Sequence, residues 1–498
     1  MALSPAYWVR RPWATALRSW RRNISSDYFV PARLYGQPTF FSHPHLIEPL
    51  ETTPGITGDE YAQRRKKLMD SLPDDSVVVS VAGGIKYASQ NIFYKFRQAS
   101  DFWYLTGVSE PESAVILEKR SGGAASKMTL FVRERDPSQE LWDGPRTGTD
   151  AAPSLFGADE ARDIKTFASH VQSIIASYSN VYLDTPKQGP ARRRSILHYL
   201  SSPRLSDMES LLDRISSSSK VRSLSQHLHK LRRIKSPAEI NLMRKAAALS
   251  GTAHAKTMRF TKPGLSEGAL AAHFEYLCAL KGSERPAYVP VVASGSNALV
   301  IHYTANNQLL KSGDLVLVDA GCELNGYASD ITRTWPVSGT FSGPQRDLYQ
   351  AVLNTLKEIL PLASESSGQT LHSLHRTSCE SLHQELKQIG FHVTLSDVER
   401  LYPHFLSHPL GLDLHESGMD QRNQELLSGM VITIEPGIYV PPDPAFPKHF
   451  HNIGIRIEDE VLIQRDHAEV LTVNAPKEIP DIEGACQGLL DFGPYWGS

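Results

Sequence analysis

Between Ser236 and Ile463 the chain runs twice through one order of elements, two amphipathic helical stretches followed by two β-rich runs carrying acids. In "SPAEINLMRKAAALS", Ser236 fits a helix N-cap, Pro237 the first helical position and Glu239 the reciprocal position of a capping box. A second helix begins near Ser266 with Leu270, Phe274 and Leu277 on one side, and "DLVLVDAG" and "GYASDITRTWPV" follow as strands. The order recurs with helices over about Pro344 to Leu360 and Thr370 to Ile389, then strands in "MVITIEPGIYV" and "IGIRIEDEVLI". Two such halves predict a pseudo-twofold domain whose chemistry sits where the halves meet.

The first strand pair carries two like charges. Asn325-Gly326 is a favoured two-residue turn, and the register it sets pairs Leu324 with Tyr327 and Asp319 with Thr332, leaving Asp330 as the diagonal neighbour of Asp319. Diagonal partners lie roughly 7–8 Å apart, too far to share a proton but suited to converging on a cation. The second pair carries Glu435 and Glu458. Alternation sets Ile455, Ile457 and Asp459 opposite Arg456 and Glu458, so Arg456 shares the face of Glu458 and holds its carboxylate oriented. Histidines cluster nearby as His302, His404, His408 and His415. Singly, a histidine is more often a hydrogen-bonded core or surface residue, and a strand acid more often a surface charge. Four acids at mirrored positions in apolar strands point instead to metal ligation. An oxygen-rich set with imidazole suits Mn²⁺, with Co²⁺ or Zn²⁺ as alternatives. Four carboxylates exceed what one ion needs, so two divalent ions about 3.5–4 Å apart are expected.

At 498 residues the chain should divide into two or three domains. Short β-rich runs ("DSVVVSVAGG", "SAVILEKR", "MTLFVRERD", "NVYLDTP") alternate with helical stretches over 54–224, which reads as an α/β domain. The serine run Ser216 to Ser219 marks a boundary, followed by a catalytic domain over 225–480 and a tail over 481–498. Residues 1–50 read as a mitochondrial transit peptide and lead, because Arg10, Arg11, Arg18, Arg21 and Arg22 precede the first acid, Asp27. Lys plus Arg (52) nearly cancels Asp plus Glu (54), which argues against a nucleic-acid partner. The basic clusters Arg64 to Lys67 and Arg192 to Arg194 read as solvated helix faces. No apolar run approaches the roughly 18 residues of a membrane span. Cys278, Cys322, Cys379 and Cys486 lack paired spacing and read as free thiols in a reducing compartment.

The motifs "VDAG", "SDITRTWPV", "SHPLGLDLHESG", "TIEPGIY" and "GIRIEDE" resemble, as a set, those of the pita-bread metallopeptidases. The stretch "FRQASDFWYLTGVSEPES" is more similar to aminopeptidase P (Xaa-Pro aminopeptidase), notably its mitochondrial form, than to prolidase or methionine aminopeptidase. The resemblance spans about Ala62 to Val473. It implies an α/β (α+β) chain with a creatinase-like N-terminal domain and a pita-bread catalytic domain. It further implies that Asp319 chelates one ion, Asp330 and Glu458 bridge both, and His408 and Glu435 hold the other. Glu435 would move the proton of the attacking hydroxide, His302 and His415 would meet the substrate carbonyl and oxyanion, and His404 would wall the proline pocket. Arg456 and Tyr439 would support these, and Trp103 would either reach a neighbouring subunit's site or pack internally. The implied reaction removes the first residue of peptides with proline second, in a homo-oligomer, with a dimer favoured. The implied compartment is the mitochondrial matrix, with a cytosolic form lacking the presequence as an addition. Prolidase, confined to dipeptides, and a non-catalytic pita-bread binding module are the alternatives; metal-free creatinase is set aside because every ligand position is filled.

Overall fold

The computed structural model describes residues 33–120, 126–183, 220–416 and 422–490. The transit peptide's arginines, Arg192 to Arg194 and the serine run lie outside these residues.

A six-stranded sheet organises the N-terminal part. Its order is Val221–Ser223, Asn180–Leu183, Ser76–Val81, Ala114–Lys119, Lys127–Val132, Glu160–Asp163. The three middle strands pair antiparallel and the outer pairings are parallel. Its central strands are apolar at nearly every position because both faces are covered. Val78, Val115 and Leu117 face a core shared with the helix Gly58–Ser71, while Val77, Val79 and Ile116 face the helix Phe167–Ser177.

Three expectations need correction here. The helix Gly58–Ser71 buries Tyr61, Arg64, Arg65, Leu68 and Met69 along one stripe, so Arg64 and Arg65 are not solvated. The Arg64 guanidinium lies over the rings of Tyr61 and Tyr104 and pairs with Glu60 and with Glu239 of the C-terminal part, 2.8 and 3.4 Å away. Residues 33–50 are not a loose lead: Gln37 donates to the Thr52 and Gly107 carbonyls, and Ile47 is buried. Residues assigned to the tail continue the helix Ile479–Gln487, which buries Ile482 and Ala485.

In the C-terminal part the repeated order is observed. Ser236 and Glu239 close a capping box on the helix Pro237–Phe260, and Ser266 caps Glu267–Leu280. Helices Gly343–Ile359 and Leu371–Gln388 repeat the pair. Each pair leads into a hairpin whose ladder breaks midway and resumes in a second sheet. In the first, Asp319 pairs with Thr332 and Leu324 with Tyr327, with Asn325 and Gly326 at φ of 50° and 81° as the turn requires. In the second, Ile434 pairs with Asp459 and Gly437 with Arg456. The expected register of the first hairpin therefore holds on both sides of its break, and the second hairpin likewise keeps one register across its own.

Arg333, fully buried, bridges the halves by donating to Asp459 at 2.8 Å and to the carbonyls of Thr332, Glu458 and Ala475. All four cysteines are free, as expected, and Cys278 and Cys322 share one apolar core.

His254, buried on the long helix, places Nε2 2.9 Å from the carbonyl of Ala320, next to Asp319. Burial holds its pKa down at about 4. An imidazole kept neutral in the fold but free to protonate when unfolded stabilises the fold above its ordinary pKa, and that stability is lost as pH falls through the unfolded value toward the folded one. The contribution is of order 3 kcal/mol at pH 7. His254→Gln should flatten the decline in melting temperature between pH 6.5 and 4; an unchanged profile would contradict this role.

Candidate metal centre

The breaks in the two ladders create the site. Asp319 ends its strand and Asp330 lies two residues before the partner strand, while Glu435 and Glu458 face each other in the gap of the second hairpin. There the side chains turn into one cavity. The two gaps are stitched together at Thr332, whose carbonyl accepts from the Glu458 N–H at 3.1 Å. The Thr332 hydroxyl accepts from Arg456 Nε at 2.9 Å and donates to Glu458 Oε2 at 2.7 Å, which fixes its rotor and the carboxylate together.

Asp330, His408 and Glu458 each offer a ligand atom within 4.8 Å of the others. His408 Nε2 is 3.3 Å from Asp330 Oδ2 and 3.8 Å from Glu435 Oε1. Asp319 is held by Arg456 Nη2 at 2.6 Å. Asp319 and Asp330 share one hydroxyl between them, that of Tyr288. The hydroxyl of Tyr288 lies 2.5 Å from Asp319 and 2.6 Å from Asp330.

Electrostatics show what the set accepts. Burial pushes Asp330, Glu435 and Glu458 well above the ordinary carboxyl range, and their mutual repulsion adds to it while Arg456 opposes it. Such acids cannot all ionise together in a closed space unless cations lie among them. Burial also holds His408 at about 4 and His404 at about 3, so both are neutral at pH 7, and partial desolvation and the neighbouring His408 lower His415 in the same direction. His408 Nδ1 lies 3.2 Å from the Pro409 carbonyl, which assigns its proton to Nδ1 and leaves the Nε2 lone pair facing the acids. An oxygen-rich donor set with one oriented imidazole fits hard divalent cations.

Asp319, Asp330, His408, Glu435 and Glu458 line one cavity of about 510 Å³, together with His302, His404, His415 and Arg456. Tyr439 stands behind the wall, accepting from Arg456 at 2.6 Å and meeting His404 Nε2 at 2.9 Å. Trp103 lies outside this cavity: its indole covers Gly326, where a Cβ would collide with the ring, and sits 6.5 Å from the Tyr327 ring. Sequence reasoning missed Tyr288, Thr332 and Glu460, which accepts from Ser329 Oγ and the Asp330 N–H. The spacing of Thr332 opposite Asp319 was the available signal; Tyr288 precedes its strand in a proline-flanked turn and gave none.

Residues 241–465 match Metallopeptidase family M24, and residues 61–182 match the aminopeptidase P N-terminal domain. Human Xaa-Pro aminopeptidase 3 is 40% identical over 475 residues, 92% of this chain and 91% of that protein. The chain belongs to the M24 metallopeptidases. An Arabidopsis thaliana M24 relative, Intermediate cleaving peptidase 55, mitochondrial, is also 40% identical and covers 95% of this chain and 91% of its own length. The crystal structure of E. coli aminopeptidase P with the inhibitor Pro-Leu superposes with a TM-score of 0.79 at 31% identity, covering 87% of this chain and 99% of the other. This M24 chain is a hydrolase with α/β and pita-bread parts.

Thr332→Val should lower divalent-ion affinity by roughly 10–100-fold while leaving the circular dichroism spectrum intact. Calorimetric titration checks this, and an unchanged affinity would show that the hydroxyl does not orient Glu458.

Proposed function

We propose that this M24 peptidase removes the N-terminal residue from peptides with proline in second place, with two divalent ions, Mn²⁺ first among them, held by Asp319, Asp330, His408, Glu435 and Glu458. The reading is carried by one observation: acids from both hairpins and a neutral, oriented imidazole surround a single cavity. Bound there, divalent ions would make water a competent nucleophile near neutral pH and polarise the scissile carbonyl.

The chain's own groups do the rest. Glu435, on the cavity wall, takes the proton of the attacking water and delivers it to the departing proline nitrogen. His302 and His415 border the same cavity and donate to the substrate carbonyl and to the oxyanion that replaces it. His404 is held by the Phe405 carbonyl at 3.1 Å on one side and Tyr439 on the other, which fixes the wall offered to the proline ring. A proline imide lacks the N–H that ordinary peptidases grip, so a rigid wall replaces that contact. Arg456 connects the two tasks, since its guanidinium touches both Asp319 and Tyr439.

The assignment of 54–224 to an N-terminal α/β domain and 225–480 to the catalytic domain belongs to the same proposal. So do a homodimer, in which Trp103 serves the neighbouring site, and mitochondrial residence, supported by the Arg-rich lead and the name of the Arabidopsis relative.

The test is turnover of Arg-Pro-Pro by Mn²⁺-loaded protein. Release of arginine is expected, with loss of activity on chelation and a fall of about 10³-fold or more in Asp330→Ala. Cleavage confined to the dipeptide Gly-Pro would make the protein a prolidase. Inertness after metal loading would favour a binding module.

A further inference from the structure

The segment from His408 to Glu416 carries two of the site's imidazoles, one at each end. Its ends are drawn together by the Glu416 N–H donating to the Pro409 carbonyl at 3.0 Å, and the rings of His408 and His415 meet edge to face at 4.2 Å. Its outer tip points away from the cavity, toward the N-terminal part. There Arg97 Nη2 donates to the Leu412 carbonyl and Ser100 Oγ to Asp413 Oδ1, both at 2.6 Å. Beneath them lies Arg232, 2% exposed, on the helix Ser225–Arg233.

Arg232 holds three carboxylates at once: Asp101 at 2.5 Å, Asp413 at 2.6 Å and Glu416 at 2.8 Å. Asp101 belongs to the helix Ser100–Thr106 of the N-terminal part, whereas Asp413 and Glu416 belong to the histidine loop. The packing leaves no slack, since a Cβ on Gly411 would stand 2.4 Å from Glu416 Oε1. Lys235, also buried, lies 3.9 Å from Glu416.

We propose that Arg232 is a positioning residue for the peptidase reaction: it ties the loop that bears His408 and His415 to Asp101, so that docking of the N-terminal part sets the geometry of the active site. Removing the guanidinium leaves the carboxylates of Asp101, Asp413 and Glu416 facing one another, with Glu416 buried and Asp413 40% exposed, and their repulsion acts on the loop rather than on the strands. The strand-borne acids stay in place while both imidazoles shift together. A displacement of about 1 Å in such groups lowers turnover by up to about 10²-fold. The inference rests on the roles proposed above for His408 and His415.

The test compares Arg232→Gln, Arg232→Lys and Ser100→Ala with Arg64→Gln, which removes a different buried ion pair between the same two parts without touching the loop. Steady-state turnover of Arg-Pro-Pro is measured well below each melting temperature. Arg232→Gln should lower kcat about 10–100-fold with KM changed less than about threefold, Arg232→Lys should recover part of it, and Ser100→Ala should cost about 3–10-fold. Arg64→Gln should lower the melting temperature and leave kcat unchanged. A folded Arg232→Gln with wild-type kcat, or an equal loss of kcat in Arg64→Gln, overturns the proposal. Should Arg232→Gln fail to fold, Ser100→Ala decides alone, and an unchanged kcat overturns it. Wild-type protein inert toward Arg-Pro-Pro would instead remove the peptidase reading itself.

Discussion

Four carboxylates set around one cavity repel each other, and neither hydrogen bonds nor the Arg456 guanidinium removes that repulsion. The rest of the C-terminal part makes sense as the scaffold that imposes it. The register of each hairpin already sets its two acids on one face, as diagonal partners in the first and opposite partners in the second. Both ladders break where the acids lie and resume in a different sheet with register preserved. The interruption is local, so it positions the ligands without unravelling the apolar strands on either side.

Each half has its own helices and hairpin, but neither half has a complete site. Thr332 from the first and Glu458 from the second exchange two hydrogen bonds, and Arg333 and Arg456 each cross the same seam. The seam is thus both the structural joint and the chemical centre. A polar joint of this kind is satisfied only in one relative placement of the halves, because each donor has a specific acceptor. His408 enters from a loop rather than a strand, and that loop is gripped from the N-terminal part.

Much of this was legible in the residues. The Asn325-Gly326 turn fixed the register of the first hairpin, the capping box at Ser236 and the apolar side of Leu270, Phe274 and Leu277 placed the long helices, and alternation put Arg456 on the face of Glu458. What stayed hidden depended on contacts distant in sequence. Arg64 looks like part of a solvated run until Glu239 and the rings of Tyr61 and Tyr104 are brought around it. Tyr288 gains meaning only from two aspartates more than thirty residues later. Composition made residues 33–50 resemble a lead segment, whereas the buried amide of Gln37 shows them to be part of the fold. Trp103, quoted from a motif, lies against the hairpin turn instead of the cavity of its own chain.

The most direct measurement is anomalous diffraction from Mn²⁺-loaded crystals of the whole chain. Two peaks about 3.5–4 Å apart are expected inside the cavity, each within coordinating distance of Asp330 and Glu458. A single peak there, or ions bound elsewhere while these acids face solvent or one another, would contradict a shared dinuclear centre.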